Sequence, residues 1–365
     1  MASAETLPTA LITGFLGSGK TTLLNGLLRH PGMADTAVII NEFGEVGLDH
    51  LLIETSFEDA VLLKSGCICC TVRGDLVDTM GSLAERRRKG EIPPFSRVAI
   101  ETTGLADPAP ILHTIMGEAS LKERYRLDRV IATVDAANAL DQLERHYEAA
   151  KQAAIADRLV LTKTDLVPDA MREAVLARLA ALNPLAPVAV VVNGAVDPEL
   201  LFAADAPDAA LRRERLAASS AHGHGHGHDH DHAHGDGHDR EHGHEHEDGH
   251  DDADHLARHH GISTVSLVHE APVEWPRLRT WLTALASLRG PNLLRVKGII
   301  NVVGRERPVV IHGVQHVFHP PVELNAWPDG DRRTRVVFIT RNIAAEALAQ
   351  SFNSAMTEGA KISFP

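Results

Sequence analysis

The chain has 365 residues and a formal net charge of −13, a length that allows a large core and more than one domain. Eleven acidic and two basic residues lie between His222 and His260, and neither this segment nor the rest presents a basic face, so nucleic acid and anionic membranes are not expected as partners. With no apolar run long enough to span a bilayer and no signal-peptide pattern at the N-terminus, we expect a cytoplasmic protein.

Residues 1–205 alternate short apolar runs with helical segments. The runs are TALIT at 9–13, AVII at 37–40, RVAIE at 97–101, RVIATVD at 129–135, RLVLT at 158–162 and PVAVVV at 187–192. Runs that are apolar throughout are typical of strands buried on both faces. The alternation predicts an α/β domain, in which a mostly parallel sheet carries helices on both sides.

The segment GFLGSGKT, residues 14–21, lies between the first predicted strand and a predicted helix. It fits G-x-x-x-x-G-K-[ST] in full, in the context of a phosphate-binding loop, so the domain is predicted to be a P-loop NTPase. Its glycines, Gly14 among them, let backbone N–H groups turn toward phosphate oxygens. Lys20 is predicted to reach the β- and γ-phosphates as a catalytic cation, and Thr21 to place its hydroxyl on Mg²⁺.

The segment ETTG, residues 101–104, ends another apolar run. It stands where a P-loop GTPase carries an acidic residue that faces Mg²⁺ and a glycine that faces the γ-phosphate. We expect Glu101 to act through a metal-bound water or to position the attacking water, the alternative being a helix-capping or solvated residue. Leu105 follows Gly104, so no water-positioning Gln is identified and slow intrinsic hydrolysis is expected.

The segment TKTD, residues 162–165, resembles the guanine-reading N-K-x-D loop, with Thr162 in place of Asn. The carboxylate of Asp165 could accept two hydrogen bonds that guanine offers and adenine does not, while the Lys163 stem packs along the base. The spacing after the phosphate loop favours GTP over ATP. Asn193, which follows the last apolar run, is a further candidate for the base-contacting loop or a plain turn residue.

All three cysteines of the chain, Cys67, Cys69 and Cys70, form one CxCC segment. Thiolates bind Zn²⁺, Cu⁺ and similar ions strongly, and the four-cysteine spacing of an iron–sulfur cluster is absent. Three thiolates leave a tetrahedral zinc shell incomplete, as a metal-exchange site requires, although a structural metal and inert buried thiols stay open. Glu42, in the segment INEFGEVGLDH, is the first candidate for an extra ligand, with a surface acidic residue as the alternative.

The rest of the chain divides into a linker and a second folded unit. Residues 206–260 are low in complexity and hold fifteen of the 23 histidines between residues 222 and 260. Their composition predicts a disordered linker that either collects metal through many weak sites or is passive. Residues 261–365 read as βαβββα, which predicts a small α+β domain with helices on one face of an antiparallel sheet.

Five segments together, in this order, resemble the CobW-like metal-handling GTPases, a group related to the nickel-inserting GTPases of urease and hydrogenase maturation. They are GFLGSGKTTLLN, NEFGEVGLD, GCICCTVRGDL, ETTGLADP and TKTD. The C-terminal RVKGIINVVGRERPVVIHGVQHVFHP resembles the second domain of that family. The resemblance implies a GTP-hydrolysing metallochaperone that engages an apo-metalloprotein client and is reset by hydrolysis to GDP.

Carried over to this sequence, the resemblance also implies which residues bind each ligand. Zinc, or cobalt, is held by Cys67, Cys69 and Cys70, with Glu42 as a weaker candidate. Guanine is held by Lys163 and Asp165. The phosphates and Mg²⁺ are held by Gly17, Ser18, Gly19, Lys20, Thr21 and Thr22.

Two other functions stay open at this point. One is a cobalt-handling GTPase that serves cobalamin or cobalt-enzyme assembly, and the other is a metal-buffering protein whose histidine tract is the main functional part. A homodimer is also open as a partner. We further hypothesise that the γ-phosphate changes the metal affinity of the CxCC segment, because that segment lies between the Glu42 loop and the ETTG turn.

Overall fold

The structure, a computed structural model, describes residues 6–40, 62–64, 72–202, 259–328 and 330–357. Within these ranges the chain forms a seven-stranded sheet followed by a six-stranded sheet. We call the first sheet with its helices the nucleotide domain, and the second sheet with its helices the C-terminal domain. Their architecture confirms the predicted fold class, a parallel α/β unit followed by a smaller antiparallel α+β unit.

All strand pairs of the first sheet are parallel, in the spatial order β3-β2-β4-β1-β5-β6-β7. Six of the seven strands coincide with the predicted apolar runs. The exception is β3, whose three residues are too few to show a period. The strands are β1 (Leu7–Gly14), β2 (Thr36–Ile40), β3 (Leu62–Lys64), β4 (Arg97–Glu101), β5 (Tyr125–Asp135), β6 (Arg158–Thr162) and β7 (Val188–Val191).

Helices cover both faces of this sheet, as predicted. One apolar cluster joins α1 to one face through Leu23, Leu24 and Leu27, and a larger cluster joins α2, α3, α6 and α7 to the other face. The described helices show none that is both long and apolar enough to cross a membrane. They are α1 (Lys20–Leu28), α2 (Val72–Lys89), α3 (Ala109–Gly117), α4 (Ala119–Lys122), α5 (Ala139–Arg145), α6 (Tyr147–Ile155), α7 (Asp169–Leu182) and α8 (Pro198–Phe202).

The second sheet is antiparallel, in the order β11-β10-β9-β13-β8, with β12 paired to β10. Helices α9 and α10 pack on it around Trp281, Phe338 and Phe352. The two-residue strands β11 and β12 are the additions to the predicted order. The elements are β8 (Ile262–His269), α9 (Trp275–Arg289), β9 (Leu293–Ile300), β10 (Val309–Val314), β11 (Val317–Phe318), β12 (Val322–Glu323), β13 (Thr334–Arg341) and α10 (Ala345–Met356).

The opposite face of the second sheet packs on the nucleotide domain. Ile262, Leu294 and Ile339 belong to the same apolar cluster as α6 and α7. Beside them, the Asp157 carboxylate forms ion pairs with Arg295 and with Lys297, the latter at 2.6 Å. These contacts, which we call the domain interface, join the two units through both apolar packing and buried charge.

Candidate nucleotide-binding site

The loop between β1 and α1 depends on glycine at several positions. Gly14, Gly17 and Gly19 have positive φ angles of 142°, 72° and 90°, a region that L-residues with a Cβ rarely adopt. A Cβ on Gly14 would lie 2.2 Å from Thr133 Oγ1, so a larger residue would collide with β5. Because α1 begins directly after Gly19, the loop leads into the positive end of a helix, where an anion is favoured.

The side chains of this loop are held from within and from the neighbouring strand. Lys20 Nζ donates hydrogen bonds to the carbonyl oxygens of Gly14 at 2.9 Å and Phe15 at 3.1 Å. The Ser18 hydroxyl is buried and lies 2.6 Å from Thr133 Oγ1. The loop therefore encloses the ammonium group, where it can meet a bound phosphate.

Thr21 and Glu101 meet although 80 residues separate them. Thr21 Oγ1 donates to Glu101 Oε1 at 3.1 Å, and the glutamate, at the end of β4, is only 3% exposed. The contact arises because β4 lies beside β1, whose loop leads into α1. A hydroxyl and a carboxylate brought together are oxygen ligands of the kind that Mg²⁺ prefers.

The turn after β4 touches the phosphate loop directly. A Cβ on Gly104 would lie 2.8 Å from both N and Cα of Leu16, so only glycine allows this approach. Thr102 strengthens the contact, since its hydroxyl donates to Thr13 Oγ1 at 2.9 Å. Gly104 is thus placed against the loop at which the γ-phosphate is expected.

The TKTD segment is tied to the phosphate loop by its first residue. Thr162 Oγ1 donates to the carbonyl oxygen of Ser18 at 2.8 Å, so threonine bridges the two loops where the guanine-reading pattern has Asn. Lys163 has a positive φ of 56°, and its Nζ donates to Asp135 Oδ2 at 2.7 Å. Asp165 lies exposed in the following turn.

Asp135 is a site residue that the sequence analysis missed. Its carboxylate accepts hydrogen bonds from Ala137 N at 2.9 Å and Asn138 Nδ2 at 2.8 Å, besides that from Lys163. Burial raises the pKa of Asp135, but these donors outweigh it and hold the pKa below its usual value. The available signal was an acidic residue at the carboxyl end of a buried strand, next to the strand that leads into TKTD.

Asn193 lies in a tight turn that packs against α1. Asn193 and Gly194 both have positive φ angles, 52° and 73°, and a Cβ on Gly194 would lie 2.4 Å from the carbonyl oxygen of Thr22. Thr22 itself is exposed. Because this turn follows β7, the neighbour of β6, it leaves the same edge of the sheet as TKTD.

The predicted metal ligands Cys67, Cys69, Cys70 and Glu42 lie outside the described residues, as does most of the histidine tract. The strands before them are described. In the register of the sheet, Ile40 at the end of β2 is aligned with both Lys64 of β3 and Glu101 of β4. The described strands β2 and β3, which precede the predicted ligands in the sequence, therefore end at the level of Glu101.

In the described ranges, no group of three or more His, Cys, Asp or Glu residues is suited to hold a metal ion. His113, a histidine of α3, lies with its ring centroid 4.0 Å from that of His316. Burial lowers the pKa of His113 to about 4, and its Nε2 is buried without a hydrogen-bond partner. This is the environment of a packed, neutral imidazole.

Three features of the parallel sheet define a P-loop nucleotide-binding domain. They are a glycine-rich loop after the first strand, a buried acidic residue on the neighbouring strand and a segment further along that resembles a base-binding loop. Two family models match the chain, "CobW/HypB/UreG, nucleotide-binding domain" over residues 8–190 and "Cobalamin synthesis protein cobW C-terminal domain" over residues 262–356. The chain belongs to the CobW family, and the predicted resemblance is confirmed.

Characterised relatives share most or part of the chain. The zinc chaperone YjiA of Escherichia coli is 32% identical over 342 residues, which cover 94% of this chain and 96% of the relative. The zinc-regulated GTPase metalloprotein activator 1 of Schizosaccharomyces pombe is 32% identical over 200 residues, 53% of this chain and 47% of the relative. Among solved structures, the Zn(II)-bound YjiA GTPase from E. coli matches with a TM-score of 0.68 and 28% identity, covering 97% of this chain and all of that one.

Proposed function

We propose that this chain is a GTP-hydrolysing metallochaperone that binds zinc at Cys67, Cys69 and Cys70 and transfers it to an apo-metalloprotein client. The observation that carries the proposal is the hydrogen bond between Thr21 and Glu101 at 3.1 Å. It lies at the edge of the sheet where β2 and β3, the strands that precede Glu42 and Cys67 in the sequence, end. The zinc-chaperone and GTPase names of the relatives support it.

The nucleotide half of the reaction depends on positioning and charge. Phosphoryl transfer spreads negative charge over the γ-phosphate oxygens, so fixed positive groups lower its barrier. Lys20 and the backbone amides of the phosphate loop, with Ser18 and Thr22, would hold the phosphates. Thr21 and Glu101 would hold Mg²⁺, which neutralises charge on the β- and γ-phosphates.

Specificity for guanine is assigned to the loops after β6 and β7. Asp165 would accept the paired hydrogen bonds of guanine, and Lys163, fixed by Asp135 at 2.7 Å, would pack along the base. Thr162 holds this loop on Ser18, and Asn193, in the turn after β7, would be a further contact to the base. The absence of Gln after Gly104 supports slow hydrolysis, because no amide stands there to orient the attacking water.

The metal half of the reaction is assigned to the CxCC segment with Glu42. Three thiolates leave a ligand position open, which suits a metal that must be passed on. We also infer that nucleotide and metal sites are coupled, since β2 and β3 end at Ile40 and Lys64, in register with Glu101. A second candidate, cobalt handling, is supported by the C-terminal match to a cobalamin synthesis domain.

The parts of the chain are given separate roles. We assign nucleotide and CxCC functions to residues 1–205, metal collection to the linker at 206–260 and a supporting α+β domain to 261–365. Metal-binding thiols need a reducing compartment, which supports the cytoplasm as the location. A homodimer is part of the proposal, and Leu16 of the phosphate loop and Leu105 after the ETTG turn, 52% and 55% exposed, are apolar residues that such a contact would cover.

The test is GTP hydrolysis and zinc content of the purified protein, compared with a variant in which all three cysteines are changed to serine. Both proteins also lack residues 222–255, so that weak binding by the histidine tract does not mask the result. The proposal expects slow GTP hydrolysis, a tightly bound zinc ion in the parent and its loss in the variant. The proposal would be contradicted if the rate of GTP hydrolysis did not depend on zinc and the variant kept the zinc content of the parent.

A second assay, growth of cells under zinc limitation, separates the proposed chaperone from a metal buffer. If the chain mainly buffers metal, deleting residues 222–255 should abolish its protective effect in cells under zinc limitation. The chaperone expects a modest loss from that deletion and a severe loss from Lys20→Ala or Cys69→Ala.

A further inference from the structure

A buried glutamine on α6 holds the main chain that follows the ETTG turn. Gln152 is 1% exposed, and its Nε2 donates hydrogen bonds to the carbonyl oxygens of Gly104 at 3.2 Å and Ala106 at 3.0 Å. Burying an amide is unfavourable unless it is hydrogen-bonded. These two bonds satisfy its amide nitrogen, whereas its Oε1 is buried without a hydrogen-bond partner among the described residues. Most of its neighbours along α6 are alanines, so the contact with this main chain is the structural role of a polar residue here.

The preceding residue holds the far end of the same segment. Lys151 is 6% exposed, and its Nζ lies 2.6 Å from Asp107 Oδ2. Asp107 in turn accepts a hydrogen bond from Ala109 N at 3.0 Å, at the start of α3. Consecutive residues of one helix therefore fix both ends of the segment from Gly104 to Asp107.

Helix α6 is itself held at both ends, so it is a rigid support. At its C-terminus, Asn183 Nδ2 donates to the carbonyl oxygens of Ala153, Ala154 and Ala156 at 2.9–3.1 Å. At its N-terminus, the ring of Tyr147 lies 4.0 Å from the Arg341 guanidinium of the C-terminal domain. The preceding residue, His146, stacks on Phe15 of the phosphate loop at 4.7 Å.

We propose that Gln152 and Lys151 are positioning residues for GTP hydrolysis. They act through the main chain and through Asp107, to which their side chains bind. They fix the peptide after Gly104, so that Gly104 and Glu101 keep their places against the phosphate loop when the γ-phosphate is attacked. Small displacements of catalytic groups can cost on the order of a hundredfold in rate. The inference rests on the proposed GTPase site.

The experiment compares hydrolysis and binding in four variants of the full chain. Gln152→Met keeps the side-chain volume and removes both donors, and Lys151→Met removes the ion pair, whereas Lys151→Arg retains it. Gln142→Met is the matched control, because Gln142 of α5 and Gln152 line one small cavity. For each protein, kcat and KM for GTP are measured, with GDP affinity and circular dichroism.

The inference expects kcat to fall roughly tenfold or more in Gln152→Met and Lys151→Met, with GDP affinity unchanged within about twofold. Lys151→Arg should recover most of the rate, and Gln142→Met should behave as wild type. The inference is overturned if kcat stays normal in Gln152→Met, or if KM and GDP affinity worsen as much as kcat. If Gln152→Met does not fold, the Lys151→Met and Lys151→Arg pair decides by the same criteria.

Lys20→Ala distinguishes failure of this inference from failure of the proposed function. If wild type does not hydrolyse GTP, or Lys20→Ala hydrolyses it as fast as wild type, the proposed GTPase site is wrong and the positioning role falls with it. If Lys20→Ala is inactive while Gln152→Met is normal, the GTPase site stands and only the positioning role is rejected.

Discussion

The phosphate loop and the domain interface each contain a buried charged side chain, Lys20 and Asp157 respectively, yet they are built from different parts. In the loop, Lys20 is held by main-chain oxygens of Gly14 and Phe15, which lie six and five residues away. At the domain interface, Asp157 meets Arg295 across 138 residues of sequence. The loop depends on backbone conformation, whereas the interface depends on a balance of buried charges, so changes in the two should have different consequences.

The charge balance at the interface explains why it should dominate stability. Burial raises the pKa of Asp157, but Arg295 and Lys297 outweigh this and hold the pKa well below its usual range. The carboxylate also accepts a hydrogen bond from Val130 N at 2.9 Å. Removing one partner of such a group leaves an uncompensated buried charge, which is costly.

The largest effect is therefore expected from Asp157→Asn. The change leaves Arg295 and Lys297 buried without their counter-charge and should lower the free energy of unfolding by about 3–5 kcal/mol. Urea denaturation measures this change in the free energy of unfolding. The control is Asp141→Asn, which breaks the exposed pair with Arg145 and should cost about 0.5 kcal/mol or less. Equal losses in the two variants would remove the contrast between interface and surface.

Gly14→Ala tests whether the phosphate loop depends on its backbone conformation. Its Cβ would lie 2.2 Å from Thr133 Oγ1 at a φ of 142°, so the loop must shift, and backbone strain of this kind costs on the order of 1–3 kcal/mol. We expect at least a tenfold loss of affinity for a GTP analogue, measured by titration. Gly81→Ala, in α2 with no atom near the added Cβ, should keep that affinity and stabilise the helix by about 1 kcal/mol.

Acid should lower stability through two histidines beside the domain interface. His312 of β10 pairs with Lys297 of β9 in the register of the sheet, and its ring centroid lies 6.1 Å from that of His319. Burial lowers the pKa of His312 to about 3 and that of His319 to about 4, whereas the unfolded value is about 6.5. As pH falls below about 6.5, the unfolded chain binds protons that the folded chain does not, so stability declines until the folded pKa is reached. Each histidine contributes up to about 1.4 kcal/mol per pH unit. Urea denaturation at several pH values from 7 to 5 gives the free energy of unfolding as a function of pH. This free energy should fall less steeply with decreasing pH in His312→Gln than in wild type.

The smallest expected effect is that of Tyr147→Ala, which removes the ring beside Arg341 at 4.0 Å. Such contacts contribute about 0.5–2 kcal/mol. Tyr147→Phe keeps the ring and should unfold like wild type. If both substitutions lower stability equally, the hydroxyl and not the ring is the important group.

The comparison also explains how much the sequence could predict. The phosphate loop, Glu101 and six strands were predicted because each is encoded in a few consecutive residues. Thr162 departs from the expected Asn, yet its hydroxyl links the base loop to Ser18. Gln152 and Asp157 were missed, because their partners lie far along the chain and no local pattern marks them. Strand β3 was missed because three residues show no period.

The most direct test of the central claim is the zinc affinity of the full chain with GDP and with a non-hydrolysable GTP analogue. A chelator competition measures it, and Cys69→Ser identifies the contribution of the CxCC segment. If the nucleotide controls metal transfer, the two affinities should differ by roughly 5–150-fold, and the difference should vanish in Cys69→Ser. Equal zinc affinities in the two nucleotide states would contradict a GTP-driven metallochaperone.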